Sequence, residues 1–253
     1  MATNPDLSGQ CILITGAGRG LGKSMAGKLA DCGARLALLD VDEASCRATT
    51  EALRARGAQA AHYTVDVSRR ADFLAAAADF AGRAGRIDAV INNAMLLRYE
   101  PVEQITEEVL SRMTAIGIQG SLWGAQALLA HYDAARGGTI INMTSPVSEK
   151  GFPNTAAYSL VKGALVTLTK VLAAELGPRN VRVNAISPGS VPTPGALGLN
   201  DREEYDRRKR TIPLRRLGHE DDVAEACAFL LSAQASFING EILHVDGGIA
   251  AAG

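Results

Sequence analysis

The feature that most constrains the fold is an alternation of short apolar runs with longer stretches of helical periodicity. Several runs have a continuous apolar stretch, as in strands buried on both faces of a parallel sheet. The predicted strands are Cys11–Thr15, Arg35–Asp40, Ala60–Val65, Asp88–Asn92, Thr139–Thr144, Val181–Ser187 and Glu241–Val245. The predicted helices are Gly22–Ala30, Glu43–Arg56, Arg69–Arg83, Thr106–Ala135, Thr155–Leu176 and Glu220–Ser232. This alternation predicts an α/β fold with one doubly wound parallel sheet covered by helices on both faces.

Composition limits the domain count and the classes of partner. The chain has 253 residues, 47% of them hydrophobic, which is enough for one large core, so we predict a single domain over residues 1–253. Its net charge of -1 creates no general attraction for nucleic acid or acidic lipid. We therefore expect neither partner. The apolar runs are too short to span a bilayer, and the polar amino end does not resemble a signal peptide.

The four cysteines show neither C-x-x-C pairing nor the spacing of a zinc site: Cys11, Cys32, Cys46 and Cys227. We therefore expect them to be reduced and buried in a cytoplasmic protein, and we predict no metal site.

The segment Gly195–Arg210 is polar and loop-like, and we expect it to form a lid over the site. Its basic run, 207–210, could be taken for a nucleic-acid patch. However, acidic residues stand four positions before three of these basic residues, an order that favours ion pairs on a solvated helix face: Glu203, Glu204 and Asp206 precede Arg207, Arg208 and Arg210.

A glycine turn directly follows the first strand and opens a helix. Its spacing fits T-G-x-x-x-G-x-G through Gly16, Gly20 and Gly22, whereas Leu21 takes the place of the last glycine in G-x-G-x-x-G. Such a turn lets the backbone approach a pyrophosphate, and the helix N-terminus offers free N–H groups. The turn therefore predicts a dinucleotide site.

Asp40 ends the second strand, eighteen residues after Gly22. A carboxylate there can accept hydrogen bonds from an adenosine ribose and repels a 2′-phosphate, which favours NAD over NADP. Arg19 in the glycine turn argues for NADP, since a guanidinium could meet that phosphate, unless it is simply a solvated loop charge. We expect NAD.

Tyr158 and Lys162 are spaced like a general acid/base tyrosine and its supporting cation, with Ser145 thirteen residues before the tyrosine. Residues four apart lie on one face of a helix. A phenol loses its proton near pH 10, and lowering its pKa by about three units takes roughly 4 kcal/mol. A fixed ammonium and a cationic cofactor ring could supply it. This spacing alone is common. Beside the glycine turn, however, it favours acid/base chemistry, with Ser145 orienting an alcohol or carbonyl oxygen.

These motifs resemble the short-chain dehydrogenase/reductase family over nearly the whole chain. The shared motifs are T-G-x-x-x-G-x-G, Asn92-Asn93-Ala94, Ser145 with Tyr158-x-x-x-Lys162, Ser187-Pro188-Gly189-x-Val191-x-Thr193 and Val245-Asp246-Gly247-Gly248. The resemblance implies a seven-stranded Rossmann sheet, a homotetramer, and hydride transfer between NAD(H) and a secondary alcohol or ketone. The enoyl-reductase branch generally spaces its tyrosine and lysine farther apart.

The resemblance also implies a role for each matching residue. Tyr158 would exchange the proton, Lys162 would hold the nicotinamide ribose and lower the tyrosine pKa, and Ser145 would bind the substrate oxygen. The remaining cofactor contacts would be Asp66 and Val67 at the adenine, Asn93 and Ala94 along the dinucleotide, and Val191 with Thr193 at the carboxamide. For Asn92 we expect a structural role, satisfying neighbouring backbone groups.

Two residues depart from the family pattern. Met95 stands where a glycine usually follows Asn-Asn-Ala, and Gly117 stands where many members have a catalytic asparagine. We expect Met95 to narrow the site or shift its loop. We expect Gly117 to weaken a local helix distortion and slow a proton relay. The alternative is a degenerate member that binds dinucleotide as a sensor or partner subunit.

An apolar pocket would suit an alicyclic, aromatic or steroid-like ketone better than a sugar. The residues we expect to line it are Leu96, Leu97, Pro146, Val147, Phe152, Leu197 and Leu199, each of which could equally be core packing.

Overall fold

Seven parallel strands form one sheet in the computed structural model, which describes residues 4–196 and 202–252. The strands are β1 Cys11–Thr15, β2 Arg35–Asp40, β3 Ala60–Thr64, β4 Ala89–Asn92, β5 Gly138–Met143, β6 Val181–Pro188 and β7 Ile242–Val245. Every boundary lies within one residue of its prediction. The strand order is β3-β2-β1-β4-β5-β6-β7. The predicted doubly wound sheet is confirmed.

The helices are α1 Gly20–Asp31, α2 Glu43–Ala55, α3 Arg70–Ala84, α4 Glu107–Thr114, α5 Gly120–His131, α6 Ala156–Leu176, α7 Arg202–Thr211 and α8 Glu220–Leu231. The helix predicted over Thr106–Ala135 is present from Glu107 to His131, but it is divided into two α-helices. A π-helical turn, Ala115–Gln119, separates α4 from α5, and α5 ends at His131. Within the predicted lid, α7 is a helix rather than a loop.

Both faces of the sheet are buried, and β1 shows why. Ile12 and Ile14 face one core layer, whereas Cys11 and Leu13 face the other. All of β1 is buried, and each fully buried Ile or Leu contributes about 1.5–3 kcal/mol. The four cysteines are free and buried, as predicted. No helix among the described residues has both the length and the apolar character to cross a membrane.

The topology places the site at the carboxyl ends of the central strands. β1 pairs with β2 on one side and with β4 on the other, so the chain reverses its direction of travel across the sheet at β1. Ligands of open α/β sheets bind in the crevice outside such a reversal. The glycine turn after β1 and the Asn92-Asn93-Ala94 segment at the end of β4 both lie there.

Candidate functional site

The glycine turn joins β1 to α1 in a conformation that excludes side chains. Gly16 and Gly20 have positive φ angles of 64° and 57°. A Cβ on Gly22 would lie 2.0 Å from the carbonyl oxygen of Gly16. The N-cap of α1, Arg19, makes no side-chain hydrogen bond to the helix, and the first turn has no acidic residue. Its N–H groups are thus not capped by a side chain, and the cradle suits an anionic pyrophosphate.

Asp40 braces this turn. Its Oδ2 accepts a hydrogen bond from the Gly18 N–H at 2.9 Å, and its Oδ1 accepts one from the Asp42 N–H at 3.0 Å. Each carboxylate oxygen has a further lone pair, so the ribose role remains compatible with these bonds. Arg19 is exposed. Hydrogen bonds from Ser45 chiefly lower the pKa of Asp42, and the charge of Arg19 adds to that effect.

At the predicted adenine side, Asp66 forms an ion pair that the sequence did not suggest. Its Oδ2 accepts a hydrogen bond from Arg112 of α4 at 2.7 Å, and its Oδ1 accepts one from the Ser68 hydroxyl at 2.7 Å. Burial opposes ionisation, but the bonds from Ser68 and Arg112 outweigh it and lower the pKa of Asp66. Val67 is buried and packs beside Gly120. Asp66 therefore also joins β3 to α4.

Asn93 locks the glycine turn to β4. Its side-chain amide donates to the carbonyl oxygens of Thr15 at 2.9 Å and Gly16 at 3.0 Å. The N–H groups of Asn93 and Ala94 both donate to Thr15 Oγ1 at 3.0 Å. Thr15 is therefore a site residue that we missed, although it opens the glycine motif. Asn92 points into the sheet and donates to Asn142 Oδ1 at 2.9 Å, a structural contact.

The loop after β6 closes the other side of the turn. Val191 is buried, and the Val191 carbonyl accepts a hydrogen bond from the Thr193 N–H at 2.8 Å. A Cβ on Gly20 would lie 3.4 Å from Thr193 Cβ, so Thr193 stands against the start of α1. Leu21 packs against the buried core. The predicted carboxamide contacts therefore lie next to the predicted pyrophosphate cradle.

Tyr158 and Lys162 lie together on α6, with the Lys162 Nζ 5.4 Å from the centre of the tyrosine ring. Nζ donates a hydrogen bond to the Met143 carbonyl oxygen at 2.6 Å. Burial lowers the pKa of Lys162 to about 8. Burial and the neighbouring Tyr99 raise the pKa of Tyr158 well above its ordinary value, while a hydrogen bond with Ser145 opposes that rise. Burial therefore dominates the pKa of Tyr158 in the protein without its cofactor.

The π-helical turn beside Tyr158 explains why position 117 is a glycine. A Cβ there would lie 2.3 Å from Val161 Cγ1 and 3.0 Å from Met95 Sδ. The Ser121 hydroxyl donates to the Gly117 carbonyl oxygen at 2.7 Å. The helix distortion is therefore present without an asparagine. Met95 and Gly117, the two residues that depart from the family pattern, therefore pack close to each other.

The predicted apolar lining divides between two places. Leu96 packs in a small apolar cluster with Met95 and Tyr158. Val147 and Phe152 instead line a groove of about 790 Å³ that runs along the first turn of α6 on its Ser159 side. The other predicted lining residues are Pro146, which is buried, Leu97, which is half-buried, and Leu197 and Leu199, which lie outside the described residues.

Tyr99 is the site residue that sequence reasoning had no means of finding. Its ring meets the Tyr158 ring edge to face, with the centroids 5.6 Å apart and the planes at 66°. It lies in the connection between β4 and α4, where no motif marks it. Only the folded connection brings the two rings together.

Comparison with known proteins agrees with this geometry. A family model described as enoyl-(acyl carrier protein) reductase matches residues 16–250. The chain is 36% identical over 250 residues to 2-(S)-hydroxypropyl-CoM dehydrogenase 3 of Xanthobacter autotrophicus, covering 97% of this chain and 98% of that protein.

Two solved structures superpose on nearly the whole chain. One is 3-ketoacyl-(acyl-carrier-protein) reductase from Brucella melitensis complexed with NADH, with a TM-score of 0.90, 33% identity, and coverage of 97% and 100%. The other is gluconate 5-dehydrogenase from Burkholderia cenocepacia in complex with NADP and tartrate, with a TM-score of 0.92, 33% identity and 97% coverage of each chain. The strand order and the glycine turn agree with the match to relatives over nearly the full length of the chain. The chain therefore belongs to the short-chain dehydrogenase/reductase family, a family of oxidoreductases that act on alcohols and ketones.

Proposed function

We propose that this protein transfers hydride between NAD(H) and a secondary alcohol or its ketone, with Tyr158 as general acid and base. The carrying observation is that Tyr158 and Lys162 share one face of α6, beside Ser145 at the carboxyl end of β5. The spacing of four residues and the dehydrogenase relative favour alcohol chemistry over the enoyl reduction in the family model's description.

In the oxidation direction, the alcohol oxygen would lie between Ser145 and Tyr158. Ser145 donates a hydrogen bond to that oxygen, and Tyr158 accepts its proton as the carbon loses hydride. A bound oxidised nicotinamide supplies the hydride acceptor and a positive charge. Because burial raises the pKa of Tyr158, that charge and the Lys162 ammonium must both act to make the phenol a base. Ketone reduction reverses each transfer.

The proton then needs a route to solvent. The Gly117 carbonyl oxygen already accepts the Ser121 hydroxyl, and Lys162 donates to Met143. A relay through the π-helical turn would compete with both bonds. We therefore retain the prediction of a slower proton relay than an asparagine at position 117 would give.

NAD is the proposed cofactor because two carboxylates flank the expected ribose. Asp40 accepts a hydrogen bond from the turn, and the charge of Arg19 helps to lower the pKa of Asp42. Both would repel a 2′-phosphate. Asp66, Val67, Asn93, Ala94, Val191 and Thr193 keep their proposed cofactor roles.

Near the reacting carbon we propose an apolar substrate, since Met95 and Leu96 pack beside Tyr158. A homotetramer in the cytoplasm remains our prediction for the assembly. Two apolar side chains on the outer face of α6 support it, Leu160 at 63% exposure and Val171 at 53%. The sensor alternative rested on Met95 and Gly117. These two residues pack against each other beside an intact Tyr158 and Lys162, which argues against that alternative.

The test is a spectrophotometric screen of secondary alcohols and ketones with NAD(H) and NADP(H). We expect turnover with NAD(H). Tyr158→Phe should lower kcat by about 10³-fold and leave NADH affinity within about threefold, because only the proton transfer is lost. Tight NADH binding with no turnover of any compound would instead support the sensor. Near-wild-type activity of Tyr158→Phe would refute the role of the tyrosine.

A further inference from the structure

The helix α7 and the five residues that follow it are basic, although the chain as a whole is not. Residues 202–216 contain seven Lys or Arg and three Asp or Glu, a net charge of +4 in a chain of net charge -1. Pairing within α7 removes only part of this charge, since Glu204 contacts both Arg207 and Arg208. A local concentration of positive charge beside a reaction site attracts anions.

The burial pattern of α7 selects one of these cations. Glu204, Tyr205 and Arg208 are half-buried, and Ile212 one turn further on is 1% exposed. These positions lie on one face of the helix. The Arg207 side chain is 64% exposed, compared with 29% for Arg208. Among the side chains described on α7, Arg208 is thus the cation on the inward face.

That face is tied to the loop that borders the reaction site. Tyr205 donates its hydroxyl to the Ala196 carbonyl oxygen at 3.2 Å, which ties α7 to the loop that carries Thr193. Burial raises the pKa of Tyr99, and the positive charge of Arg208 opposes that rise, so the guanidinium is within electrostatic reach of Tyr99. Tyr99 in turn packs on Tyr158. Tyr99 and Tyr158 therefore form a ring pair in the site, and the charge of Arg208 acts on the Tyr99 side of that pair.

The Arg208 guanidinium is fixed by one ion pair, and its other hydrogen-bond donors can reach a ligand. Its Nε donates to Glu204 Oε1 at 2.6 Å. The hydrogen bond from Arg207, together with that from Arg208, lowers the pKa of Glu204 to about 2, so this anchor is ionised at neutral pH. Within the described part of the chain, no hydrogen bond engages the two terminal amino groups of Arg208. Such a fork matches the paired oxygens of a carboxylate or a phosphate.

We propose that Arg208 binds an oxyanionic group, a carboxylate or a phosphate, at the end of the substrate away from the reacting carbon. This specificity rests on the proposed oxidoreductase function. The substrate would then be a hydroxy or oxo acid with an apolar segment beside Tyr158 and a charged end beneath α7. The Arg208 ion pair could instead serve only to stabilise α7. Arg207 shares the same Glu204 on the same helix and is the matched control for that case.

The experiment compares charged and neutral versions of one ketone series. We would assay 4-oxopentanoate, 5-oxohexanoate and 6-oxoheptanoate, their primary amides, and the corresponding phosphonates, with NADH. The proteins are wild type, Arg208→Gln, Arg208→Lys and Arg207→Gln, each checked by thermal unfolding. Calorimetry with NADH present would measure the Kd of the same compounds independently of turnover.

We expect Arg208→Gln to raise the KM and Kd of the preferred anion about 10- to 100-fold, the loss of a charge-assisted hydrogen-bond pair. Its kcat, and every constant for the amide, should change less than about threefold. The KM and Kd of Arg208→Lys for the anion should lie between those of wild type and Arg208→Gln. Arg207→Gln should change each constant less than about threefold. The relative affinities of carboxylates and phosphonates identify the anion.

Equal affinity for acid and amide in wild type would overturn the proposal, as would equal losses in Arg207→Gln and Arg208→Gln. Charge-dependent binding that Arg208→Gln removes, with no turnover of these ketones or of the broader alcohol and ketone panel, would support Arg208 and refute the proposed reaction. Turnover of neutral ketones alone, unaffected by Arg208→Gln, would support the reaction and refute the anion site.

Discussion

The cofactor end and the substrate end of this site are built from different parts of the chain. At the cofactor end, contacts come from the main chain of the glycine turn and from side chains bonded to it, such as Asn93 and Asp40. At the proposed substrate end, the side chains that we expect to act come from three separate segments, which carry Tyr99, Tyr158 and Arg208.

The difference determines what a substitution can change. At the glycine turn a single added carbon meets backbone, which cannot move independently of the sheet. At the substrate end, a side chain can be exchanged without disturbing the strands. We therefore expect cofactor-end changes to alter folding and dinucleotide binding together, and substrate-end changes to separate stability from activity.

The strongest test of this contrast is Gly22→Ala. Its Cβ would lie 2.0 Å from the Gly16 carbonyl oxygen, so the turn must shift. We expect a loss of about 3 kcal/mol in the free energy of unfolding and at least about a 100-fold rise in the Kd of NADH. Urea unfolding and NADH fluorescence titration measure the two effects.

Gly27→Ala is the matched control, since it lies in the same helix with nothing within 4 Å of its Cβ. There we expect a gain of about 0.5–1 kcal/mol, because alanine favours the helix over glycine. If Gly22→Ala behaves like this control, the turn is not the rigid cradle described above.

The second test, Lys162→Met, should separate stability from activity. Burial lowers the pKa of Lys162 from 10.5 to about 8. Below pH 8 both folded and unfolded chains hold the proton, so the full cost of a buried charge is present. Between pH 8 and 10.5 the unfolded chain holds more protons, so the lysine protein gains stability as pH rises.

We therefore expect the stability of Lys162→Met relative to wild type to fall by about 3 kcal/mol between pH 7 and 10.5. The variant should have lost most of its turnover at every pH. Urea unfolding of both proteins across this range gives the difference, in which titrations common to both cancel. A difference independent of pH would mean that Lys162 is not buried as a charged group.

Sequence reasoning worked best where one local property fixes the structure. Each strand boundary was predicted within one residue, since continuous apolar runs have no alternative to a buried strand. The glycine turn was found because its backbone excludes side chains, and a pattern of glycines records that exclusion. The four-residue spacing of Tyr158 and Lys162 likewise follows from helix geometry alone.

Sequence reasoning failed where the structure depends on contacts between segments that are distant in the chain. The π-helical turn at Gly117 leaves the helical hydrophobic pattern continuous, so periodicity did not reveal it. The turn packs against Val161 on another helix, a contact that no local pattern records. Val147 and Phe152 were predicted to line the pocket, but no sequence pattern predicted the groove that they line beside α6. Tyr99 belongs to no motif.

The π-helical turn offers the third test, a double-mutant cycle between Gly117→Ala and Val161→Ala. A Cβ at position 117 would lie 2.3 Å from Val161 Cγ1, and valine cannot readily rotate away in a helix. We expect Gly117→Ala to cost about 2 kcal/mol in wild type and much less in the Val161→Ala protein, a coupling of about 1–2 kcal/mol. Urea unfolding of the four proteins measures it, and additive losses would exclude the contact.

The same pair makes the proton relay testable. Gly117→Asn should be introduced with Val161→Ala, since the asparagine Cβ meets the same clash. We expect this protein to have a different pH–rate profile from Val161→Ala alone. An identical profile would mean that the missing asparagine does not limit the relay.

The smallest effect is expected at Asp40. In Asp40→Asn the amide oxygen can still accept the Gly18 N–H, so the turn should be preserved while the negative charge is lost. Removing one charge near a partly solvated phosphate is worth about 1 kcal/mol, so the ratio of kcat/KM for NADP to that for NAD should rise about 5- to 10-fold. Asp42→Asn removes a like charge two residues away and controls for the general field. If the ratio rises equally in both variants, the preference comes from the acidic edge of the sheet as a whole; if it rises only in Asp40→Asn, direct contact with the ribose sets it.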